Sequence, residues 1–383
     1  MNRLNQLTEI HQSGKPYIIY KSKKGFNLYT NFSKKIILNN QNIKSFLTKK
    51  NKKKSKDTDL FIGFFGYELL NNLIDVKIPK QKNLNFPKGI FYKPEKKIKL
   101  SNKLNYDFEN FKSGNFKINI NRKNYTKIFN KFKKKIKSGE TYQIKICTKY
   151  KTKSKINPLD FFSRLSYTNL APEAFMIKDH NYSIISCSPE TLITKKGSDI
   201  STKPIAGTVK KTKHLNKMKA LNYFRKNLKE TKEHNMIVDM ERNDLSRICK
   251  VGSVKLSKQK IVEEYKDLFH YVSLIKGKLK KNINNFEIIK AMMPGGSVIG
   301  CPKINTLNLL NNQEKENRNI YTGSFGYIKF NGDMRFNIII RSILNFKNIS
   351  EISVASGVVV DSNANHEFNE NFLKAKALID LFK

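Results

Sequence analysis

The stretch "LKETKEHNMIVDMERND" (228–244) and a later stretch, "NHEFNENFLKAKALIDLF" (365–382), share an arrangement of acidic residues in segments with helical character. The acidic pairs are Glu230 with Glu233 and Glu367 with Glu370. Residues three apart share one face of a helix, so each pair presents two mutually repelling carboxylates in one direction. If the two helices converge, a hard divalent cation can offset that repulsion. The spacing is therefore that of a four-carboxylate site, provided that the two helices meet.

The metal that suits this predicted site depends on its ligand atoms. Ligation by carboxylates and water alone favours Mg²⁺. Zinc is the competing metal because His234 and His366 neighbour the pairs. His234 directly follows Glu233 and so points about 100° away from it on a helix, whereas His366 shares a face with Glu370. The alternative is two solvated helix faces whose acidic residues favour a helix N-terminus.

The composition indicates a folded protein with an unusually basic surface. The chain has 383 residues, 39% of them hydrophobic, including 26 Phe and 16 Tyr, and a formal net charge of +43. A basic nucleic-acid-binding protein is the alternative of another class, but the charge is mostly dispersed Lys and no nucleic-acid-binding motif is present. The four cysteines form no CxxC pair, and the chain shows neither a signal peptide nor a membrane-spanning run. We expect a cytoplasmic protein with no nucleic-acid or membrane partner.

Hydrophobic periodicity predicts a mixed α+β chain without internal repeats. Short strands are expected at "PYIIY" and "KKIILNN", and three strands of one sheet are expected at "NIYTGSFGYIKF", "MRFNIIIRSILNF" and "EISVASGVVVD". The segment from about 78 to 118 is expected to be irregular because Lys and Pro punctuate it. Tyr125, Ile128, Phe129, Phe132 and Ile136 fall on one face of a predicted helix that Gly139 ends. Further helices are expected at 214–240 and 364–382. These last two helices carry the acidic pairs.

The glycine-rich stretch "MPGGSVIGCPK" (293–303) is a second unusual segment. Its glycines predict backbone amides that approach an anion, followed by a helix that begins near Pro302. It is not a Walker loop, because Gly300 is followed by Cys-Pro-Lys rather than by Lys-Ser or Lys-Thr. The alternative is an ordinary glycine-rich turn.

Seven motifs, in one order, resemble those of the chorismate-utilising enzymes, a family that includes the anthranilate, aminodeoxychorismate, isochorismate and salicylate synthases. The motifs are "SCSPE", "KPIAGT", "KEHNMIVDMERNDLSRIC", "PGGSVIGCPK", "YTGSFGYIKFNGDM", "IIIRS" and "GVVVDSNANHEFNE". The resemblance covers about residues 60–383. It implies an α+β fold of two antiparallel β-sheets packed face to face with helices outside. We expect a shortened N-terminal portion, 1–118, continuous with the same fold as a chorismate-binding catalytic domain, 119–383.

The resemblance also implies a set of site residues. Glu233 and Glu370 match direct Mg²⁺ ligands, while Glu230 and Glu367 match an outer pair. Glu190 matches the general acid that helps the C4 hydroxyl of chorismate to leave, so its pKa should be raised. His270 matches an active-site histidine; without the resemblance it would be read as a core residue. The residues that match substrate-binding positions are Thr208, Ser297, Tyr321, Arg341, Gly357 and Lys374.

Three residues depart from the family pattern. Ala355 replaces a glycine of a "GGG" or "GAG" run, while Ile299 and Cys301 replace residues of a "TGAPK" pattern. A catalytically degenerate member that binds chorismate without turnover is therefore one alternative. None of the three removes a metal ligand, and we expect an active enzyme.

Two positions bear on which reaction the chain catalyses. Gln143 stands where water-adding members have a lysine base, and Gln cannot deprotonate water, so an ammonia-using enzyme is expected. Ala206 stands where many aminodeoxychorismate synthases have a nucleophilic Lys, and alanine is the anthranilate-type residue. "PGGS", "GDMRFNIIIRS" and the lack of an "LLES"-type element favour aminodeoxychorismate synthase component I, with anthranilate synthase component I as the alternative. We find no amidotransferase module, so a separate glutamine amidotransferase subunit should supply the ammonia.

Overall fold

The computed structural model describes residues 3–49, 56–74, 76, 86–102, 104, 114–265 and 268–383. The described helices are α1 (Arg3–Gln12), α2 (Ile43–Thr48), α3 (Tyr67–Leu73), α4 (Arg122–Lys137), α5 (Pro158–Thr168), α6 (Lys217–Lys226), α7 (Leu228–Ile248), α8 (Asn285–Met292), α9 (Lys303–Gln313) and α10 (Ala364–Ile379). The described strands are β1 (Tyr17–Ser22), β2 (Gly25–Ile37), β3 (Leu60–Phe65), β4 (Gly89–Leu100), β5 (Lys117–Ile118), β6 (Gln143–Lys153), β7 (Glu173–Lys178), β8 (Tyr182–Ser188), β9 (Thr191–Lys196), β10 (Asp199–Lys203), β11 (Ile205–Lys210), β12 (Lys255–Glu264), β13 (Leu268–Lys278), β14 (Gly300–Cys301), β15 (Ser324–Lys329), β16 (Met334–Asn337), β17 (Ser342–Phe346) and β18 (Ile349–Val358). Among the described helices, none has the length and hydropathy to cross a bilayer.

Strand pairing forms one continuous antiparallel series across the described strands. It runs β5–β6–β18–β17–β8–β7–β1–β2–β4–β3–β15–β16–β9–β10–β13, with β14 added to β6 and with β11 and β12 added to β13. The predicted α+β class is confirmed. The sheets expected from the sequence are thus joined to each other by hydrogen-bonded strands.

The N-terminal strands lie in the middle of this series. β1 pairs with β7, where Ile18 faces Ile177, and β3 pairs with β15, where Phe64 faces Phe325. Strands β1, β2, β4 and β3 therefore connect two strands of the region after residue 118. The N-terminal portion is a structural part of the same sheet system.

The prediction of an irregular segment at 78–118 is wrong for β4, a twelve-residue strand that pairs with both β2 and β3. Its first four residues are buried, and at its end Lys97 and Lys99 alternate with buried Ile98 and Leu100, as expected of a half-exposed strand. Pro94 is accommodated because it faces Phe32 at a register shift, where a missing backbone donor disturbs the ladder least. The rest of that segment lies partly outside the described residues, at 78–85, 103 and 105–113.

The single helix predicted at 214–240 is wrong in its extent, because the segment forms two helices, α6 and α7, that meet at Asn227. Asn227 ends α6, and its side chain accepts a hydrogen bond from the backbone N–H of Glu230. The Asn side chain gives a free backbone amide of α7 a hydrogen-bond acceptor, so a second helix begins at Asn227 instead of α6 continuing. This break sets the direction of the turn that carries Glu230 and Glu233.

The largest apolar cluster packs α4, α8 and α9 against strands that include β3, β4 and β9. The predicted helix face of α4 is confirmed: Tyr125, Phe129, Phe132 and Ile136 are buried, and Ile128 is partly buried. Each fully buried large apolar side chain stabilises the fold by about 1.5–3 kcal/mol. This packing fixes the helices against β6, whose opposite face carries polar residues.

Candidate active site

The four predicted carboxylates are brought together by the first turns of α7 and α10. Nζ of Lys229 on α7 lies 3.5 Å from Oε1 of Glu367 on α10, so these turns are adjacent. Ligand atoms of Glu367 and Glu370 lie within 4.8 Å of each other. The charges of Glu233 and Glu370 both act on Glu230. The two helices therefore converge, which is the condition that a cation site on the two i, i+3 pairs requires.

The four carboxylates fall into two electrostatic classes. Burial raises the pKa of Glu230 and of Glu367, and neighbouring glutamates raise both pKa values further. Burial also opposes ionisation of Glu233, but the positive charge of Lys145 holds the pKa of Glu233 at about 2. The pKa of Glu370 is likewise lowered by Lys374, against the effect of burial. The two predicted direct metal ligands are thus the two carboxylates with lowered pKa values.

The carboxylate group fits a hard cation. Oε1 of Glu367 is buried and accepts no hydrogen bond from the residues that the structure describes; its contact with Nζ of Lys229 is a long ion pair of 3.5 Å. A divalent cation would give this oxygen a closer partner. Oxygen ligands from four glutamates suit Mg²⁺. His366 belongs to the same group as Glu367 and Glu370, so its exposed imidazole keeps zinc as the competing metal.

His234 is directed away from the carboxylates, as its position in the helix predicts. Its imidazole is fully buried, and Nε2 lies 2.7 Å from Oγ of Ser273. Burial and the positive charge of Lys260 lower the pKa of His234 to about 4. It is a packed, neutral histidine of the core.

Strand β6 supplies two donors to one ligand oxygen. Nε2 of Gln143 and Nζ of Lys145 lie 2.8 Å and 3.0 Å from Oε1 of Glu233. Lys145 faces Gly357 across the β6–β18 ladder, where a Cβ atom on the glycine would come within 2.7 Å of Nζ. Lys145 is absent from the predicted site. The sequence did contain a signal for it, because a residue two positions after Gln143 on a strand lies on the same face. In a lysine-rich sequence this signal is easily overlooked.

The predicted general acid, Glu190, is buried beside the glycine-rich stretch. Its Oε1 accepts a hydrogen bond of 2.9 Å from Oγ of Ser297. Burial raises the pKa of Glu190 to about 7, although Ser297 and the backbone N–H of Ile205 favour the charged form. A carboxyl group with this pKa is partly protonated at neutral pH and can donate a proton.

His270 forms a second part of the site with Thr208. The two residues face each other across the β11–β13 ladder, and Oγ1 of Thr208 lies 2.9 Å from Nδ1 of His270. Burial and the positive charge of Arg341 lower the pKa of His270 to about 3, so its imidazole is neutral at pH 7. His270 and Arg341 line one small cavity together with Tyr265.

Arg341 lies in a break between two strands. The stretch "MRFNIIIRSILNF" was expected as one strand but forms β16 and β17, and Arg341 between them has φ +52°. A positive φ is uncommon for a residue with a side chain and is found most often in turns and functional sites. The break turns Arg341 out of the ladder toward the cavity that it shares with His270.

Tyr321 lies at the wall formed by β6 and β18. It packs with Cys147 and Ala355, and Ile340, the neighbour of Arg341, contacts the same group. Lys374 reaches this wall from α10, with Nζ 3.0 Å from the backbone oxygen of Ala355 and 2.6 Å from Oε1 of Glu370. Ala355 therefore fits its place as a small residue between a tyrosine and a cysteine.

The turn at "KPIAGT" brings backbone close to the carboxylates. Gly207 has φ +88°, and a Cβ atom there would lie 3.0 Å from Oε2 of Glu230. Ala206, just before it, is buried. At the glycine-rich stretch, α9 begins after Pro302 as predicted, and Ile299 is buried while Cys301 pairs with Gln143 in the β14–β6 ladder.

The profile of a family described as "chorismate binding enzyme" matches residues 106–380. The chain belongs to the chorismate binding enzymes. Its sequence is 34% identical to "Aminodeoxychorismate synthase component 1" of Bacillus subtilis (strain 168) over 267 residues, which are 70% of this chain and 57% of that protein. It is 31% identical to an "Anthranilate synthase component I-like protein" of Synechocystis sp. over 347 residues, 83% of this chain and 72% of that protein.

Solved structures of this family share the fold. The crystal structure of anthranilate synthase component I from Streptococcus pneumoniae TIGR4 matches with a TM-score of 0.78 and 25% sequence identity, over 95% of this chain and 92% of that chain. The fold expected from the seven motifs is confirmed. The chain spans less than two thirds of the length of the Bacillus relative. The roles of individual residues in this chorismate binding enzyme remain predictions that the geometry now allows to be tested.

Proposed function

We propose that this chorismate binding enzyme is component I of an aminodeoxychorismate synthase, which aminates chorismate at C4 and keeps the enolpyruvyl group. The position of Gln143 is the observation that supports amination rather than the addition of water. Its amide nitrogen donates to Oε1 of Glu233 at 2.8 Å, so the side chain is held inside the carboxylate site. An amide cannot remove a proton from water, whereas ammonia is a nucleophile without a base.

Lys145 does not restore a water-activating base in this proposal. Its Nζ forms an ion pair of 3.0 Å with Glu233. Burial alone would lower the pKa of Lys145, but the charge of Glu233 holds it above its ordinary value. A protonated amine has no lone pair with which to accept a proton. Water addition is therefore disfavoured even though a lysine lies in the site.

Different residues of the chain would act on the C4 hydroxyl, the enolpyruvyl carboxylate and the ring carboxylate of chorismate. In the proposed complex, Glu190 gives its proton to the C4 hydroxyl as that group leaves, and Ser297 fixes the orientation of the carboxyl group. Arg341 and Tyr321 would bind the enolpyruvyl carboxylate, for which a guanidinium group offers two parallel donors. Glu230, Glu233, Glu367 and Glu370 would hold Mg²⁺. When bound, Mg²⁺ would neutralise these carboxylates and attract the ring carboxylate of chorismate.

Anthranilate synthase component I is the second candidate, and Ala206 favours it. Alanine has no nucleophile, so the covalent-lysine route to C4 amination that many aminodeoxychorismate synthases use is absent at this position. In favour of C4 amination are the 34% identity to the Bacillus protein and the motifs "PGGS" and "GDMRFNIIIRS". Relatives with both names match this chain at similar identity. Only the product distinguishes the two reactions.

Ammonia would come from a separate glutamine amidotransferase. The Bacillus relative is called component 1 of its synthase, a name that implies a second component there. In the proposal, this chain receives ammonia from such a subunit and accepts free ammonia in its absence. Stimulation of chorismate amination by glutamine would then require the second subunit.

The test is product identification by mass spectrometry after incubation of the purified chain with chorismate, Mg²⁺ and an ammonium salt at alkaline pH. A product that retains the enolpyruvyl group supports C4 amination. Anthranilate with pyruvate assigns the second candidate, and isochorismate would show that Lys145 or another group activates water. Bound but unchanged chorismate would identify a degenerate member, for which Ala355, Ile299 and Cys301 are the departures to revert.

A further inference from the structure

Lys145 places a positive charge inside the proposed cation site. It lies on β6 two residues after Gln143, and its side chain is 13% exposed. Its Nζ contacts Oε1 of Glu233, and the charges of Glu370 and Glu367 also act on it. This ammonium group thus faces glutamates of both helices.

Two further lysines pair with the same carboxylates, but from the solvent side. Lys229 pairs with Glu367 and Lys374 pairs with Glu370, and their side chains are 46% and 44% exposed. Water and salt screen such exposed charges far more than buried ones. Among these three lysines, Lys145 is the one whose charge is held within the site.

Lys145 and a metal ion would share the carboxylate of Glu233. One of its oxygens, Oε1, already accepts hydrogen bonds from Gln143 and from Lys145. A cation held by either oxygen of this carboxylate would stand within a few ångströms of Nζ. Two positive groups this close repel strongly in a partly buried site. Gln143 is neutral and does not contribute to this repulsion.

We infer that Lys145 is a built-in competitor of the divalent cation: it pairs with Glu233 when the cation is absent and moves away from this carboxylate when the cation binds. The cation therefore binds less tightly than it would to the same four carboxylates without this lysine. In the metal-free state, Lys145 keeps the carboxylate group compact by reducing its repulsion. This inference deepens the proposed function and rests on it, because it takes the four glutamates as a cation site.

The inference is tested by binding of Mn²⁺ and Mg²⁺ alone, without chorismate, to the full chain by calorimetry and, for Mn²⁺, by electron paramagnetic resonance. Lys145→Gln and Lys145→Met remove the charge, whereas Lys145→Arg keeps it. We expect the first two variants to bind each cation at least about tenfold more tightly than the wild type, from the loss of a buried like charge. Lys229→Gln removes a lysine at the exposed rim and should change the affinity by less than about threefold.

A second readout is thermal unfolding in EDTA and in saturating Mn²⁺. Lys145→Gln should melt below the wild type in EDTA and gain more from Mn²⁺ than the wild type does, since tighter binding stabilises more. This comparison also shows directly whether the variants fold.

The possible outcomes distinguish a failure of the competitor role of Lys145 from a failure of the cation site itself. Affinities of Lys145→Gln and Lys145→Met that equal or fall below the wild-type affinity would overturn the competitor role while leaving the cation site intact. Glu233→Gln should abolish the tight binding, which assigns the measured cation to this site. No cation binding by folded wild type and folded variants would overturn both the inference and the proposed metal.

Discussion

Ser297 donates its hydroxyl hydrogen to Oε1 of Glu190 across 2.9 Å, which joins the glycine-rich stretch to the predicted general acid. The hydrogen bond favours the ionised carboxylate, whereas burial favours the neutral acid. Burial is the larger of the two effects, and the pKa of Glu190 lies at about 7. A small change in either effect therefore changes the protonated fraction at physiological pH.

The first prediction follows from this balance. In Ser297→Ala the pKa of Glu190 should rise, because a hydrogen bond that favours the charged form is lost. Glu190 must be protonated to act as the acid, so activity falls as the pH rises through its pKa. We expect the alkaline limb of the pH profile of kcat/KM to move to higher pH by about 0.5–1 unit, because one hydrogen bond is worth about 1 kcal/mol. The profile is measured at constant free ammonia concentration, and a limb that stays in place or moves to lower pH would contradict the role of Glu190.

Glu190→Gln is the companion variant. It cannot donate the proton, so kcat/KM should fall by about 10²- to 10⁴-fold, and the limb assigned to Glu190 should disappear. Turnover near the wild-type rate would show that another group protonates the leaving hydroxyl.

The second prediction concerns the carboxylates. Glu230→Gln and Glu367→Gln should lower cation affinity by about 10- to 100-fold, as changes outside the inner ligand shell typically do. Glu233→Gln and Glu370→Gln should cause a larger loss of both affinity and turnover. Glu264→Gln alters an exposed glutamate paired with Lys211 and serves as the control that should leave both unchanged. An equal loss in all four variants would remove the distinction between inner and outer ligands.

The third prediction uses Ala206. Incubation of the wild type with chorismate and Mg²⁺, without ammonia, should leave the intact protein mass unchanged, because alanine offers no nucleophile. In Ala206→Lys, the same incubation should add the mass of a covalent chorismate-derived adduct if C4 chemistry is available to the site. An adduct on the wild-type chain would contradict this prediction, and peptide mapping would show whether Lys145 carries it.

The fourth prediction compares two glycines. A Cβ atom at Gly300, where φ is +131°, would lie 2.0 Å from the backbone oxygen of Gln143, so Gly300→Ala should lower the free energy of unfolding by about 3 kcal/mol. A Cβ atom at Gly357 would meet the flexible ends of Lys145 and Gln143 instead. Gly357→Ala should therefore cost about 1 kcal/mol or less but disturb cation binding, as measured by denaturant unfolding and calorimetry. Equal destabilisation would indicate that these two side chains cannot move aside.

The fifth prediction concerns the break between α6 and α7. Asn227→Ala removes a helix cap and should lower the free energy of unfolding by about 1 kcal/mol. Asn216→Ala removes the corresponding cap of α6, where the side chain accepts from the backbone of Lys219, and is the matched control. Only Asn227→Ala should also weaken cation binding, because Asn227 holds the turn that carries Glu230. An equal loss of cation affinity in both variants would show that the Asn227 cap contributes only to the stability of the fold.

The sequence predicts those parts of the fold in which periodicity and length agree. In α4, apolar residues repeat on one face and Gly139 ends the helix, so both its type and its bounds follow from local physics. The acidic pairs are predictable for a related reason, since their spacing has meaning only on a helix. β4 is missed because its lysines and Pro94 resemble a surface loop when its two partner strands are unknown. Pairing between distant strands is what makes it a strand.

The site is predictable where its residues are rare in the chain and obscure where they are common. The chain contains 31 acidic residues against 74 basic ones, so two spaced acidic pairs stand out. Lys145 is one basic residue among many, and only its neighbours in space distinguish it. The shared cap at Asn227 is similarly hidden, because helical periodicity alone does not show that one helix ends and another begins there.

The position of β1–β4 has a consequence for synthesis of the chain on the ribosome. These strands emerge before the two strands that flank them, because β7 and β15 each lie more than a hundred residues after the strand they pair with, β1 and β3 respectively. One edge of the nascent sheet therefore stays uncovered until β7 is made, and the other stays uncovered until β15 is made. Those edges are β1 and β3, because β4 lies between β2 and β3. β3, LFIGFF, carries no charge that would discourage pairing with another chain. This topology therefore exposes the emerging polypeptide to aggregation before its active site exists.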